Sequence, residues 1–163
     1  MIAEEKLRTL AMQSPTLQSF FGNPNLPPPD GKFRWEFMQV PQGLIPKQRG
    51  QQALGGGTST VRVQRISTLS NYVQEGPNPL ERIRFQVDVY DLDPMVAFNA
   101  ATAVINWFQT INLVTGQQFG SPVTTPNQFP SIQSNLRPGV DVQAGTLIYV
   151  WSIDEWVYNN TQN

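Results

Sequence analysis

Asp88, Asp91 and Asp93 bring three carboxylates into one short stretch and could be drawn as a cation site. A calcium loop also needs a glycine turn and a distal glutamate, and neither is here. The expected roles are plainer: Asp88 is a strand surface residue, and Asp93, standing before Pro94, is placed to cap a helix. Gly55-Gly56-Gly57 followed by Thr58 and Ser59 suggests a phosphate cradle. No Lys stands at Walker spacing, however, and a strand follows where a helix N-terminus would be required, so a flexible loop is the better reading. Asp154 and Glu155 are adjacent on a strand, which sends their carboxylates to opposite faces and unfits them as a paired acid and base.

The chain contains no His and no Cys. That excludes Ser-His and Cys-His nucleophiles, disulfides and most zinc sites together. An enzyme would have to work with carboxylates, Lys, Tyr or Ser alone. The expectation is therefore a protein that is not an enzyme and holds no cofactor or metal.

Two constellations remain. Arg62, Arg65, Arg82 and Arg84 put four of the eleven basic residues on two strands expected to pair, either as a solvated sheet face or as a surface meeting a polyanion or an acidic partner. Tyr149, Trp151, Trp156 and Tyr158 are either core and edge packing or a subunit contact, where aromatics are enriched.

These residues are positioned by one unit, Arg82 to Gln109. From Ile83 to Val89 every second residue is apolar, the period of a half-buried strand. After Asp93-Pro94 the period changes: Ala97, Ala101, Val104, Ile105 and Phe108 mark one inward stripe of a helix. Upstream, Ala3, Leu7, Leu10 and Ala11 predict a helix over about 2–13. Ser14-Pro15 starts a short second helix closed by Gly22. The Pro-rich segment 23–31 reads as an extended connector.

A first strand is expected over Phe33–Val40 and a second over Thr60–Ile66, with a polar turn region over 67–81. Between the first two strands, 41–59 reads as a long loop of the kind that carries function; the second such loop is 114–130. Ser131–Leu136 is a possible strand, Arg137-Pro138-Gly139 a turn signal, and Thr146–Val157 the last strand. Because Ile148 and Val150 make the last strand's other face apolar, it should be central, or covered by a helix or a neighbouring subunit. The tail after Val157 reads as polar and frayed.

With 163 residues, one core is the default, and 1–163 is expected to form a single α+β domain: a small mixed or antiparallel sheet packed by an N-terminal helix and a crossover helix, with long loops. A net charge of -1 gives no global attraction to nucleic acid or to an anionic membrane. The N-terminus lacks the pattern of a secretory signal, and the longest apolar run, Leu147 to Trp151, is too short to span a bilayer. A soluble protein without membrane partners is expected.

The order of elements resembles the tail-completion, or tail-terminator, proteins of tailed bacteriophages. The residues that carry the resemblance are Val63-Gln64-Arg65-Ile66-Ser67, the stretch Arg82 through Asp91 (RIRFQVDVYD), and the Ala-rich helix with Ala97, Ala100, Ala101, Ala103 and Val104; the closing apolar strand Leu147 to Ile153 agrees with it. The resemblance covers about two-thirds of the chain and rests on scaffold motifs. The longer Pro-rich connector and the insertion at 114–130 depart from the family pattern.

The resemblance implies a structural virion protein of the neck, made in the host cytoplasm. It would form a homo-oligomeric ring, typically a hexamer, ending the tail tube and joining it to the head-completion or connector protein, with genomic DNA passing through its channel without sequence-specific binding. On that reading Leu44, Ile45, Lys47, Arg49 and Leu54 belong to a partner-contact loop. Arg62, Arg65, Arg82 and Arg84 form a channel-facing or subunit-facing sheet, and Tyr149, Trp151 and Trp156 a subunit interface. Two alternatives stand beside it: another neck ring such as a head-closure protein, and a sheet-based single-strand nucleic-acid binder using Arg62, Arg84 and Tyr90. The latter is disfavoured by the net charge and by the expectation that no aromatics cluster on the arginine face.

Overall fold

Two long hairpins, their alternation broken by register shifts between Arg65 and Ser67, Ser70 and Tyr72, and Gln133 and Asn135, make up most of this molecule. The computed structural model describes residues 2–26, 32–37, 59–73, 76–118, 132–143 and 146–160. In chain order the elements are α1 (Ala3–Met12), α2 (Pro15–Phe21), β1 (Trp35–Phe37), β2 (Thr60–Val73), β3 (Gly76–Asp91), α3 (Pro94–Phe108), β4 (Ile111–Asn112), β5 (Gln117–Gln118), β6 (Ile132–Gln143) and β7 (Thr146–Asn160).

Five strands form one sheet in the order β1-β2-β3-β7-β6. β1 runs parallel to β2, and the remaining pairs are antiparallel, so the sheet is mixed and the fold α+β. The last strand is central, between β3 and β6, as its two apolar faces require.

The helices cover one face of this sheet. Ile83, Phe85, Val87 and Val89 of β3, Val61 and Val63 of β2, and Ile153 and Val157 of β7 point to that face and are buried with Leu7 of α1, Leu17 and Phe21 of α2, and Val104 and Phe108 of α3. Phe33 stacks on Trp35 at 5.9 Å between ring centroids, and Trp107 meets Trp35 edge-on at 5.6 Å, joining the connector, β1 and α3 in one aromatic core.

The helix starts follow their local chemistry. The Asp93 carboxylate accepts from the backbone N–H of Met95 (2.9 Å) and of Val96 (3.4 Å), while Pro94 occupies the first turn. Ser14 accepts from Leu17 N–H at 3.4 Å and is followed by Pro15. Gly22 ends α2 at φ 108°, and a Cβ there would run into the Lys32 carbonyl, so this turn requires glycine.

Several boundaries differ from the expectation. β2 does not stop at Ile66: it continues to Val73 and β3 begins at Gly76, so most of the expected turn region is strand, because polar residues are as compatible with a hairpin strand as with a loop. Arg137-Pro138-Gly139 is not a turn but lies within β6. β6 is an edge strand, where a proline without an N–H is tolerated.

The insertion after α3 opens with the β4–β5 hairpin, whose Ile111 and Leu113 are buried in the core. The tail is not frayed at its start, since β7 runs to Asn160. Of the first predicted strand, Trp35–Phe37 is a strand, and residues 38–40 lie outside the described residues.

Candidate functional site

Residues directly opposite in an antiparallel pair share a face, so the registers place the chemistry-bearing side chains. On the face away from the helices Arg62 lies opposite Asp88, Asp88 opposite Ser152, Gln86 opposite Asp154, Arg84 opposite Trp156, Arg82 opposite Tyr158, and Leu69 opposite Arg82. This far face has two unlike ends.

At the end toward Asp91 the far face is closed. Asp88 is 1% exposed, Thr60 is fully buried, and Tyr90, Leu92 and Ile148 form a small buried cluster. The Asp88 carboxylate is the hub: it pairs with Arg62, whose Nε donates to it at 3.0 Å, and it accepts from Ser152 Oγ at 2.6 Å and Gln86 Nε2 at 3.1 Å. Arg62 also sits 5.8 Å from the Tyr90 ring centroid. Asp88 is thus a buried anchor rather than the strand surface residue its alternation suggested, because a cross-strand arginine meets its charge.

At the other end the far face is open. Leu69 is 53% exposed, and beside it lie Arg82, Arg84, Trp156 and Tyr158, all partly exposed. Arg84 donates to Asp154 at 3.1 Å. The Arg82 guanidinium lies 4.3 Å from the Trp156 ring centroid, a close cation–π stack.

The predicted arginine set is therefore split. Arg62, Arg82 and Arg84 share the far face, but Arg65 does not. Arg65 continues the alternation of Val61 and Val63, which puts it opposite Phe85 on the helix side, and there it binds Glu4 of α1 through two 2.7 Å bonds. That bond holds the Arg65 guanidinium above its ordinary range. Burial works to raise the Glu4 carboxyl, but the Arg65 bond, a backbone hydrogen bond and the Arg65 charge together outweigh it, and the net shift is downward.

The predicted aromatic interface is split as well: Trp151 packs on the helix side against Phe98 of α3, at 5.1 Å between ring centroids. Tyr149 lies opposite Asp91 and shares that side by alternation, whereas Trp156 is on the far face. The aromatics absent from the expected arginine face are in fact there, as Trp156 and Tyr158. Pairing of β3 with β7 brings them in, and no local pattern in either strand reveals it.

Near the same end, on the helix side, Lys6 of α1 donates to Asn159 Oδ1 at 2.7 Å and to the Asn160 carbonyl at 2.9 Å, and Asn159 Nδ2 donates to Glu81 Oε1 at 2.8 Å. Burial pulls the Lys6 ammonium below its ordinary range, with the Glu81 charge opposing. Asn159 lies in the stretch whose polar composition suggests a frayed tail, and only this long-range bond reveals its role.

Of the three aspartates, Asp91 accepts from Ser59 Oγ at 2.8 Å and from Asp93 N–H at 2.8 Å, while Asp93 caps α3. They hold a turn together. Arg34 donates to the Ser59 carbonyl at 2.9 Å, and burial lowers its guanidinium from the ordinary range against the charge of Asp91. Among the described residues no group of three or more Asp, Glu, His or Cys side chains is arranged to hold a metal ion. Asp154 and Glu155 do point to opposite faces, Asp154 toward Arg84 and Glu155 into the helix side opposite Phe85.

A groove of about 530 Å³ runs between α2 and α3, past Thr16, Phe20, Asn99 and Asn106, and none of the residues lining it titrates. Leu44, Ile45, Lys47, Arg49, Leu54 and the triple glycine lie outside the described residues. No helix among the described residues is long and apolar enough to cross a membrane. In comparisons with known proteins, no family model and no curated sequence matches the chain.

Proposed function

We propose that this chain is a structural virion protein without catalytic activity, a subunit of a homo-oligomeric ring that ends a phage tail tube and joins it to the head connector. The observation that carries the reading is the two-sided sheet. Helices close one face, and the other keeps an exposed end of Leu69, Arg82, Arg84, Trp156 and Tyr158, residue types that concentrate at protein contacts. The stretches that resemble the tail-terminator family, Val63 to Ser67 and Arg82 to Asp91, lie side by side on β2 and β3, next to the Ala-rich α3.

Three of the carboxylates are held in structural roles, Asp88 and Asp154 with arginines and Asp93 at a helix cap. A head-closure ring would use the same surfaces and differs only in its place in assembly.

The test is the mass of the purified chain by light scattering, alone and mixed with the tail-tube protein. A ring, or a monomer that caps the tube on mixing, is the expected result. A monomer indifferent to the tube protein sinks the proposal.

One observation favours a second reading. Trp156 and Tyr158 beside Arg82 and Arg84 offer stacking surfaces next to cations, the elements of a single-strand nucleic-acid platform. The pairing of Arg62 with Asp88 and of Arg84 with Asp154 weighs against it, because neutralised arginines release few counterions. That reading requires oligonucleotide binding by the monomer that falls steeply with salt.

A further inference from the structure

We propose that the open end of the far face is one half of a contact between two copies of this chain, and that the other half is the start of α1, with Glu5 of one copy set against Arg82 of the next and Ile2 against Leu69 and Trp156. The proposal rests on the ring reading and names the surfaces that would build the ring.

Three observations lead to it. First, the charge on the patch is unbalanced in one place. Arg84 has Asp154, whereas Arg82 has the Trp156 ring and no carboxylate within ion-pair distance among the described residues. Stacking holds its guanidinium in place while its charge stays available.

Second, α1 presents the complement. Its first turn is fastened to this same end of the sheet by Glu4 on Arg65 and Lys6 on Asn159. Two residues beside those ties are left outward: Glu5 is exposed and Ile2 is 58% exposed. An acid and a large apolar side chain thus stand on a rigid turn, matching a cation and a large apolar side chain on a rigid strand pair.

Third, the two surfaces lie on opposite sides of the sheet. A patch whose one unbalanced charge is Arg82 repels its own copy, which disfavours a two-fold contact. A front-to-back contact leaves each copy with one used and one unused surface, and such contacts repeat, into a ring where the rotation between copies closes and into a filament where it does not.

The absence of Cys from the chain gives a clean test on the whole chain. Ile2→Cys and Leu69→Cys variants, mixed and mildly oxidised, are expected to give a mixed disulfide dimer. Arg82→Glu alone and Glu5→Arg alone are each expected to weaken association at least tenfold by light scattering, and the double variant to regain it. Thermal unfolding by circular dichroism checks that Arg82→Glu still folds, and Leu69→Ser, altered only at an exposed position, serves as the second variant if it does not.

If the wild type forms a ring but neither charge reversal weakens it and no mixed dimer appears, the contact lies elsewhere and this inference is overturned while the ring reading stands. If the wild type remains a monomer with and without the tail-tube protein, both fall. If Arg82→Glu leaves the ring intact and abolishes only binding of a single-stranded oligonucleotide, the patch is a nucleic-acid surface and the inference is overturned.

Discussion

The two faces of this sheet solve the same burial problem by different means. On the helix side, Val61, Val63, Phe85, Val87 and Ile153 meet three helices and the closure is apolar. On the far side, Asp88 is as thoroughly buried as those residues, but what closes around it is a charge pair and a set of hydrogen bonds. Apolar contact is non-directional and tolerates a shifted neighbour, whereas a buried carboxylate is acceptable only while each of its partners stays in place. The helix side should therefore set how stable the protein is, and the far side how accurately β2, β3 and β7 stay in register.

The largest effect expected is on the helix side. Phe85→Ala removes a fully buried ring from the centre of the sheet and should cost about 4 kcal/mol, read as a lower midpoint in urea with an unchanged slope. The corresponding cut on the far side, Asp88→Ala, should cost about 3 kcal/mol because it strands Arg62. Asp88→Asn should recover part of that loss, since an amide oxygen can still accept from Ser152. If Asp88→Ala is silent in denaturant melts, the far face is held by packing and the contrast between the faces disappears.

Removing the cap of α3 with Asp93→Ala should cost about 1 kcal/mol, and hydrogen exchange should speed up first in the opening turn of α3. The smallest effect concerns the one arginine of the four that lies on the helix side. The Glu4 carboxyl lies below its ordinary value of 4.5, so the Arg65 bond contributes in full above about pH 4.5 and is lost as the pH falls through the lower folded value. Glu4→Gln should cost no more than about 1 kcal/mol at neutral pH and should flatten the fall in stability on acidification. An unchanged acid profile would mean that Glu4 and Arg65 do not hold α1 to the sheet in solution.

The strand-to-helix unit was legible because its signals are local. The alternation from Ile83 to Val89, the Asp93-Pro94 start and the apolar stripe of α3 each lie within a few residues of what they determine. The open patch was not legible. Its members come from β2, β3 and β7, and Leu69 sat in a segment whose polar residues read as a turn. A bulge adds to this: a single inserted residue between Arg65 and Ser67 reverses which face the following side chains take and sets Leu69 opposite Arg82, and a bulge leaves no mark in composition. Arg65 precedes the bulge, and its place on the helix side follows from the alternation it shares with Val61 and Val63. Asn159 looked like tail because its partners, Lys6 and Glu81, are far away in sequence.

By itself the sequence determined the periods, the caps and the residues that had to be buried, along with the chemistry closed to a chain without His or Cys. These follow from the repeat of a strand or a helix and from what each side chain can do. Only the tertiary structure decided that Arg82 would lie on Trp156, that Asp88 would be buried under Arg62, and that Arg65 would turn to Glu4. Those outcomes depend on which strand lies beside which and in what register, and the free energy that selects a register is summed over the whole sheet rather than carried by any one stretch of it.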